Sequence, residues 1–212
     1  MNFHGWTDAA LDFYEGLEVD NSKAYWQAHK AVYDEQVLAP MRALLDELAD
    51  EFGEAKIFRP NRDIRFSSDK SPYKTQAGAT LAGHGYVQLS ADGLAVASGT
   101  YVFAADQLAR YRRAVALDLT GEALVKIVRD ARVAGLTITA AGTLTTAPRG
   151  YPRDHHRIAL LRMKGLVTWR QWPVERWLAT AEAKDRVVAV LRESVPLAQW
   201  LDLHVGASEL AR

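Results

Sequence analysis

A chain of 212 residues with zero formal net charge and 49% hydrophobic side chains can fill one large core or two small ones, and its charge balance offers no broad cationic face to nucleic acid. It contains no cysteine, which excludes disulfides, thiolate nucleophiles and the common zinc frameworks. No run reaches the roughly 18 apolar residues of a membrane span, and Met1–Tyr14 has neither a basic start nor an apolar h-region, so a cytoplasmic protein is expected.

The first quarter reads as helical and acidic outside: residues 1–55 carry twelve acidic and three basic side chains. Thr7 or Asp8 is placed to cap a short helix with Ala10, Leu11, Tyr14 and Leu17 on one face. Asp20-Asn21-Ser22 supplies a second set of capping residues. Tyr25, Trp26, His29, Val32, Tyr33 and Val37 then recur at helical spacing, and Pro40 suits the first turn of a further helix that runs to Gly53.

Arg62–Lys74, RDIRFSSDKSPYK, concentrates charge, hydroxyls and turn residues. Six cations (Lys56, Arg59, Arg62, Arg65, Lys70, Lys74) face two anions (Asp63, Asp69), a local surplus of four positive charges. Ile64 and Phe66 alternate with Arg65 and Ser67 as in a short strand, which Ser68–Pro72 would end. Three segments rich in Thr, Val, Tyr and Leu follow at 76–81, 86–90 and 94–103, separated by Gly83-His84-Gly85 and Ala91-Asp92-Gly93; Asp-Gly between such runs signals a hairpin. Alternation puts Tyr86 and Gln88 on one face, opposite Val87 and Leu89.

Asp106 is expected to cap a helix to Leu117, and Thr120 one to Val133 ending at Gly135. Residues 137–146 read as one or two β segments and 147–157 as a loop. Residues 158–163 fit a short helix or a strand equally. Pro173 is placed to open a helix containing Trp177 and Leu178, and a last one, interrupted near Pro196, ends by Gly206. The expected architecture is one α+β domain over 1–212: helical 1–55, central motif and sheet 56–104, helices 106–134, a mixed 136–165, and C-terminal helices at 173–205. Its sheet is largely antiparallel and flanked by the N-terminal and C-terminal helices.

Arg62–Lys74 closely resembles the signature RD-x-RFS-x-DK-x-PYK of the bacterial domain-of-unknown-function 2461 family. The resemblance extends upstream to Asn21-Ser22-Lys23, Trp26, His29-Lys30, Tyr33 and Pro40. Downstream it takes in Gly85-Tyr86, Gly93-Leu94, Gly99-Thr100-Tyr101 and Pro148-Arg149-Gly150-Tyr151. It departs at Tyr25-Trp26, where the family pattern has Trp-Phe. It implies an α/β-containing domain and no established activity.

Two readings of the motif compete. In one, Arg62 and Arg65 supply planar forks, Lys70 and Lys74 point charges, and Ser67, Ser68 and Tyr73 hydroxyls for a small phosphate- or carboxylate-bearing ligand, bound simply or as an enzyme's substrate. In the other, Asp63 and Asp69 lock the cations into a structural network. The expected ligand site comprises Arg62, Asp63, Arg65, Ser67, Asp69, Lys70, Tyr73 and Lys74, with Tyr86 and Gln88 as floor and Arg149, Tyr151 and His155 from the later loop. His155-His156 makes a poor metal site, because adjacent histidines point apart and no His-x-x-x-His occurs. No metal or cofactor is expected. A non-catalytic module for nucleic acid or an acidic protein partner is the alternative; salt dependence would separate it from a small-ligand site.

Overall fold

Amphipathic spacing and local capping build the N-terminal helices. The computed structural model describes residues 2–65 and 67–210. Helix α1 (Asp8–Val19) buries Ala10, Leu11, Phe13, Tyr14 and Leu17. Thr7 stands at its N-cap but makes no cap bond, its hydroxyl donating instead to Gln36 Oε1 at 2.9 Å. Helix α2 (Lys23–Val32) does have a side-chain cap, since Ser22 Oγ accepts from the Tyr25 N–H at 3.1 Å. Pro40 does stand in the first turn of a helix, as expected, and that helix ends at a Gly53 cap. The chain winds through a π segment, Tyr33–Leu38, directly into α3 (Ala39–Phe52). A wider turn just before Pro40 gives the ring room where a regular helix would press it on the carbonyl four residues back.

The sheet begins with β1 (Ala55–Ile57), then β2 (Gln76–Leu81), β3 (Gly85–Ser90) and β4 (Gly93–Thr100). β1 and β2 pair antiparallel with Ala55 opposite Leu81, and β2 and β3 with Gln76 opposite Ser90. Gly93, at φ +109°, closes the Ala91-Asp92 turn in a conformation that a side chain would strain. Helices α4 (Ala105–Ala116) and α5 (Asp118–Val133) follow, then β5 (Thr137–Thr139), α6 (Ile158–Leu161), β6 (Leu166–Trp172) and α7 (Glu182–His204). Strand order is β1-β2-β3-β4-β6-β5, with β5 and β6 antiparallel. The fold is α+β.

Several sequence expectations are corrected. Residues 62–65 and 67–72 form no strand; they are a loop between an isolated bridge, Asn61 to Tyr73, and Phe66 lies outside the described residues. Asp106 does not cap α4: the Ala104 N–H is satisfied by Gln107 Oε1, and Asp106 accepts from Ser208 Oγ and the Glu209 N–H. Thr120 lies inside α5 and donates to the Ala114 carbonyl. Trp177 and Leu178 sit in a 3₁₀ turn, Arg176–Ala179. Helix α7 continues through Pro196, because buried Leu191, Leu197, Trp200 and Leu201 on both sides of it hold the helix against the loss of one backbone bond. β6 carries no element in the sequence reading.

The chain divides into two units. Unit 1 holds the residues up to Val96 with Gln171–Ala189, and unit 2 holds Ala97–Arg170 with the residues from Val190 on. Unit 1 is organised on stacked and edge-on aromatics: Phe13 meets Tyr14, Tyr25, Trp26 and Tyr33, and Trp26 meets Tyr33 at 4.8 Å. Unit 2 has its own core, in which Tyr111, Val115, Leu124, Leu161, Leu166 and Leu201 are buried. Among the described residues no helix is long and apolar enough to cross a membrane.

Candidate functional site

The loop that carries the motif is closed at its base by the backbone. The Arg62 N–H donates to the Pro72 carbonyl at 2.9 Å and the Lys74 N–H to the Pro60 carbonyl at 2.8 Å, flanking the Asn61–Tyr73 bridge. Tyr73 is anchored twice more. Its ring stacks on Trp26 at 4.3 Å with 10° between planes, and its backbone N–H and carbonyl are both taken by the Asn21 side chain. The loop therefore springs from a fixed point in the aromatic core of unit 1.

Inside the loop each aspartate organises a turn and binds one arginine. Asp69 Oδ1 accepts from Ser71 N at 2.9 Å and Ser71 Oγ at 2.6 Å, while Oδ2 pairs with Arg62. Asp63 accepts from Arg65 Nε at 2.9 Å, its Nη2 at 2.6 Å and its N–H at 3.3 Å. Such side-chain bonds to a residue two positions on compete with strand pairing, which accounts for the loop where alternation suggests a strand. Both carboxyls are held below the usual range: Asp63 chiefly by the Arg65 guanidinium, and Asp69 by the Ser71 hydroxyl, then Arg62, then the Ser71 N–H.

The two lysines are treated differently. Lys70 Nζ donates to the Ile64 carbonyl at 3.0 Å, and Lys74 Nζ donates to the Arg59 carbonyl at 2.9 Å and lies 5.2 Å from the Phe58 ring centre. Among the described residues neither ammonium has a carboxylate partner. Partial burial, then the charge of Arg59, pulls the Lys74 ammonium below its ordinary pKa.

Beside this loop lies a cleft of about 630 Å³. Glu18 of α1 and Asn21 line one part; Arg62, Asp63, Asp69, Ser71, Tyr73, Lys74 and Thr75 come from the loop and its base; Gln76 comes from β2. Among the described residues the lining holds two cations and three carboxylates, so what an incoming anion meets is set by pairing and not by net charge.

Of the expected site residues, Arg62, Asp63, Asp69, Tyr73 and Lys74 line the cleft. Arg65, Ser67 and Lys70 belong to the same loop but not to the lining. Tyr86 and Gln88 share a face, as alternation requires, and bond each other at 2.8 Å; Gln76, which reaches the Tyr86 hydroxyl, connects them to the cleft wall. Arg149, Tyr151 and His155 belong to unit 2. There Tyr151 packs on the unit's core, and His155 accepts from the Arg157 N–H at 3.0 Å and stacks on His156. Arg157, 3% exposed, closes the end of α4 through the Val115 and Ala116 carbonyls and pairs with Asp118 and Glu122. Glu18, Asn21, Ser71, Thr75 and Gln76 are lining residues that sequence reasoning did not select for the site. Asn21 entered the sequence reading only as a capping residue and through the family resemblance, Ser71 only as a turn residue, and nothing local flags Glu18.

A structure search returns a conserved hypothetical protein from Pyrococcus furiosus, 12% identical, covering 80% of this chain and 98% of its own, with a TM-score of 0.36. No curated protein matches. The sequence model of one family, described as a conserved hypothetical protein (DUF2461), matches residues 9–200. With nearly the whole chain matched, this protein belongs to the DUF2461 family.

Proposed function

We propose that the cleft binds a small anionic ligand bearing a carboxylate or phosphate, and that Lys74 is the charge the ligand meets. One observation carries this. The two aspartates of the motif are occupied by Arg62 and Arg65, whereas Lys74 lines the cleft with its ammonium on a backbone carbonyl. A lysine so held keeps protons to donate and a full charge to share, in a partly buried place where that charge is less screened. Tyr73 and Thr75, both hydroxyl-bearing residues, also line the cleft. The volume fits a metabolite, since small-molecule sites typically span about 300–1,000 Å³. A cytoplasmic setting in a bacterial cell belongs to the same proposal, and cell fractionation tests it.

A thermal-shift screen of the wild type against inorganic phosphate, sugar phosphates, nucleotides and mono- and dicarboxylates tests the reading. Binding to the native state alone adds about 2.7 kcal/mol at a hundred-fold excess over Kd. At least one anion is expected to stabilise the protein and to lose that effect in Lys74→Ala. A screen in which neither these anions nor amino acids, which carry the same carboxylate, raise the transition temperature overturns the proposal. Binding only to oligonucleotides, with affinity falling about 0.7–0.9 log unit per log unit of salt for each phosphate contacted, would replace it with backbone recognition.

A further inference from the structure

The charges of the lining can be accounted for one by one. Arg62 is neutralised by Asp69, and Asp63 by Arg65 from just outside the cleft. Two lining charges remain: Lys74, held by a carbonyl, and Glu18, whose carboxylate among the described residues makes no hydrogen bond or ion pair. Glu18 stands in the last turn of α1, where the unpaired carbonyls already concentrate negative potential. That turn has no basic residue, and Asp20 follows directly. A carboxylate there is unfavourably placed, and a cation beside it is favoured twice, by the side chain and by the helix end.

We propose that the ligand of this cleft is zwitterionic, an amino acid or similar amine-bearing acid, with its anionic end on Lys74 and its ammonium on Glu18. The inference rests on the anion-binding reading of the same cleft and makes it more specific. A plain carboxylate or phosphate would leave Glu18, which lines the same cleft, repelling it. An amine-bearing acid uses both remaining charges and leaves the cleft neutral. Specificity then comes from repulsion of the wrong ligand as much as from attraction of the right one.

Calorimetric titration of the wild type and Glu18→Gln tests this, with the standard α-amino acids and 4-aminobutyrate set against their deaminated counterparts, propionate and butyrate among them. Glu18 is exposed, so the variant keeps the fold. At least one amino acid is expected to bind about tenfold or more tightly than its deaminated counterpart. In Glu18→Gln the two should converge, through loss of the amino acid's affinity and a gain for the plain acid. Equal binding of the pair by the wild type, or a preference that survives Glu18→Gln, overturns the zwitterion while leaving the anion site standing. Failure of amino acids, plain acids and phosphate alike overturns both.

Discussion

Asn21 holds Tyr73 by both ends of its amide: Nδ2 donates to the Tyr73 carbonyl at 3.1 Å and Oδ1 accepts from the Tyr73 N–H at 3.0 Å. A side chain here supplies the pair of bonds that a neighbouring strand would. Each is worth about 0.5–1.5 kcal/mol net, so Asn21→Leu is expected to cost about 1–3 kcal/mol in urea denaturation. Trp26 reports it independently, because loosening Tyr73 disturbs the stacked pair and alters tryptophan emission. A variant with wild-type stability and emission would show that the clamp is not what fixes the loop.

Gly121 is packed where a side chain cannot go. A Cβ there would stand 2.3 Å from the Val115 carbonyl oxygen and 2.5 Å from Arg157 Nε. Helix propensity favours alanine over glycine by about 1 kcal/mol, but overpacking costs about 1–3 kcal/mol and the displaced guanidinium also loses its bond to that carbonyl. Gly121→Ala should therefore destabilise the protein, and Arg157→Lys should too, since an ammonium cannot reproduce the planar fork that reaches two carbonyls and two carboxylates. A raised transition temperature for Gly121→Ala would contradict this packing.

What the sequence made legible was local. Ser22 as a cap, the aromatic face of Trp26 and Tyr33, and the Asp92-Gly93 turn each follow from neighbours a few positions away. What it hid was tertiary or competitive. Alternation at Ile64–Ser67 suits a strand and an Asp-organised loop equally, and Asp63 decides it by taking the Arg65 N–H. β6 escaped because Arg170 and Gln171 break the apolar period inside a strand that is mostly buried. Counting charges showed surplus cations but not which ones: Arg62 and Arg65 are paired with aspartates, whereas among the described residues Lys70 and Lys74 rest on backbone carbonyls. Glu18 reaches the cleft from a helix far upstream, and only the folded chain brings it there.

Asp69 gives the loop a pH dependence of known sign. Its carboxyl is held below the ordinary value of about 3.9 by Ser71 and Arg62. A depressed folded pKa means that its contribution is complete above about pH 4 and is lost as the pH falls through the lower folded value. The Ser71 amide resonance should titrate with a midpoint below that of a free aspartate, and Asp69→Asn should abolish the titration. A midpoint at the ordinary value would mean the Asp69 contacts do not hold in solution.

Lys74 is the point on which the functional account turns. The direct measurement is the ligand-induced shift in transition temperature of the wild type beside Lys74→Ala and Lys74→Arg, across phosphate, plain carboxylates and amino acids at fixed low salt. The expected result is a stabilising anionic or zwitterionic ligand for the wild type, no shift for Lys74→Ala, a partial shift for Lys74→Arg, and cooperative urea unfolding in all three. A ligand that stabilises Lys74→Ala as strongly as the wild type would contradict the account, because the one lining cation that lacks a carboxylate partner among the described residues would then play no part in binding.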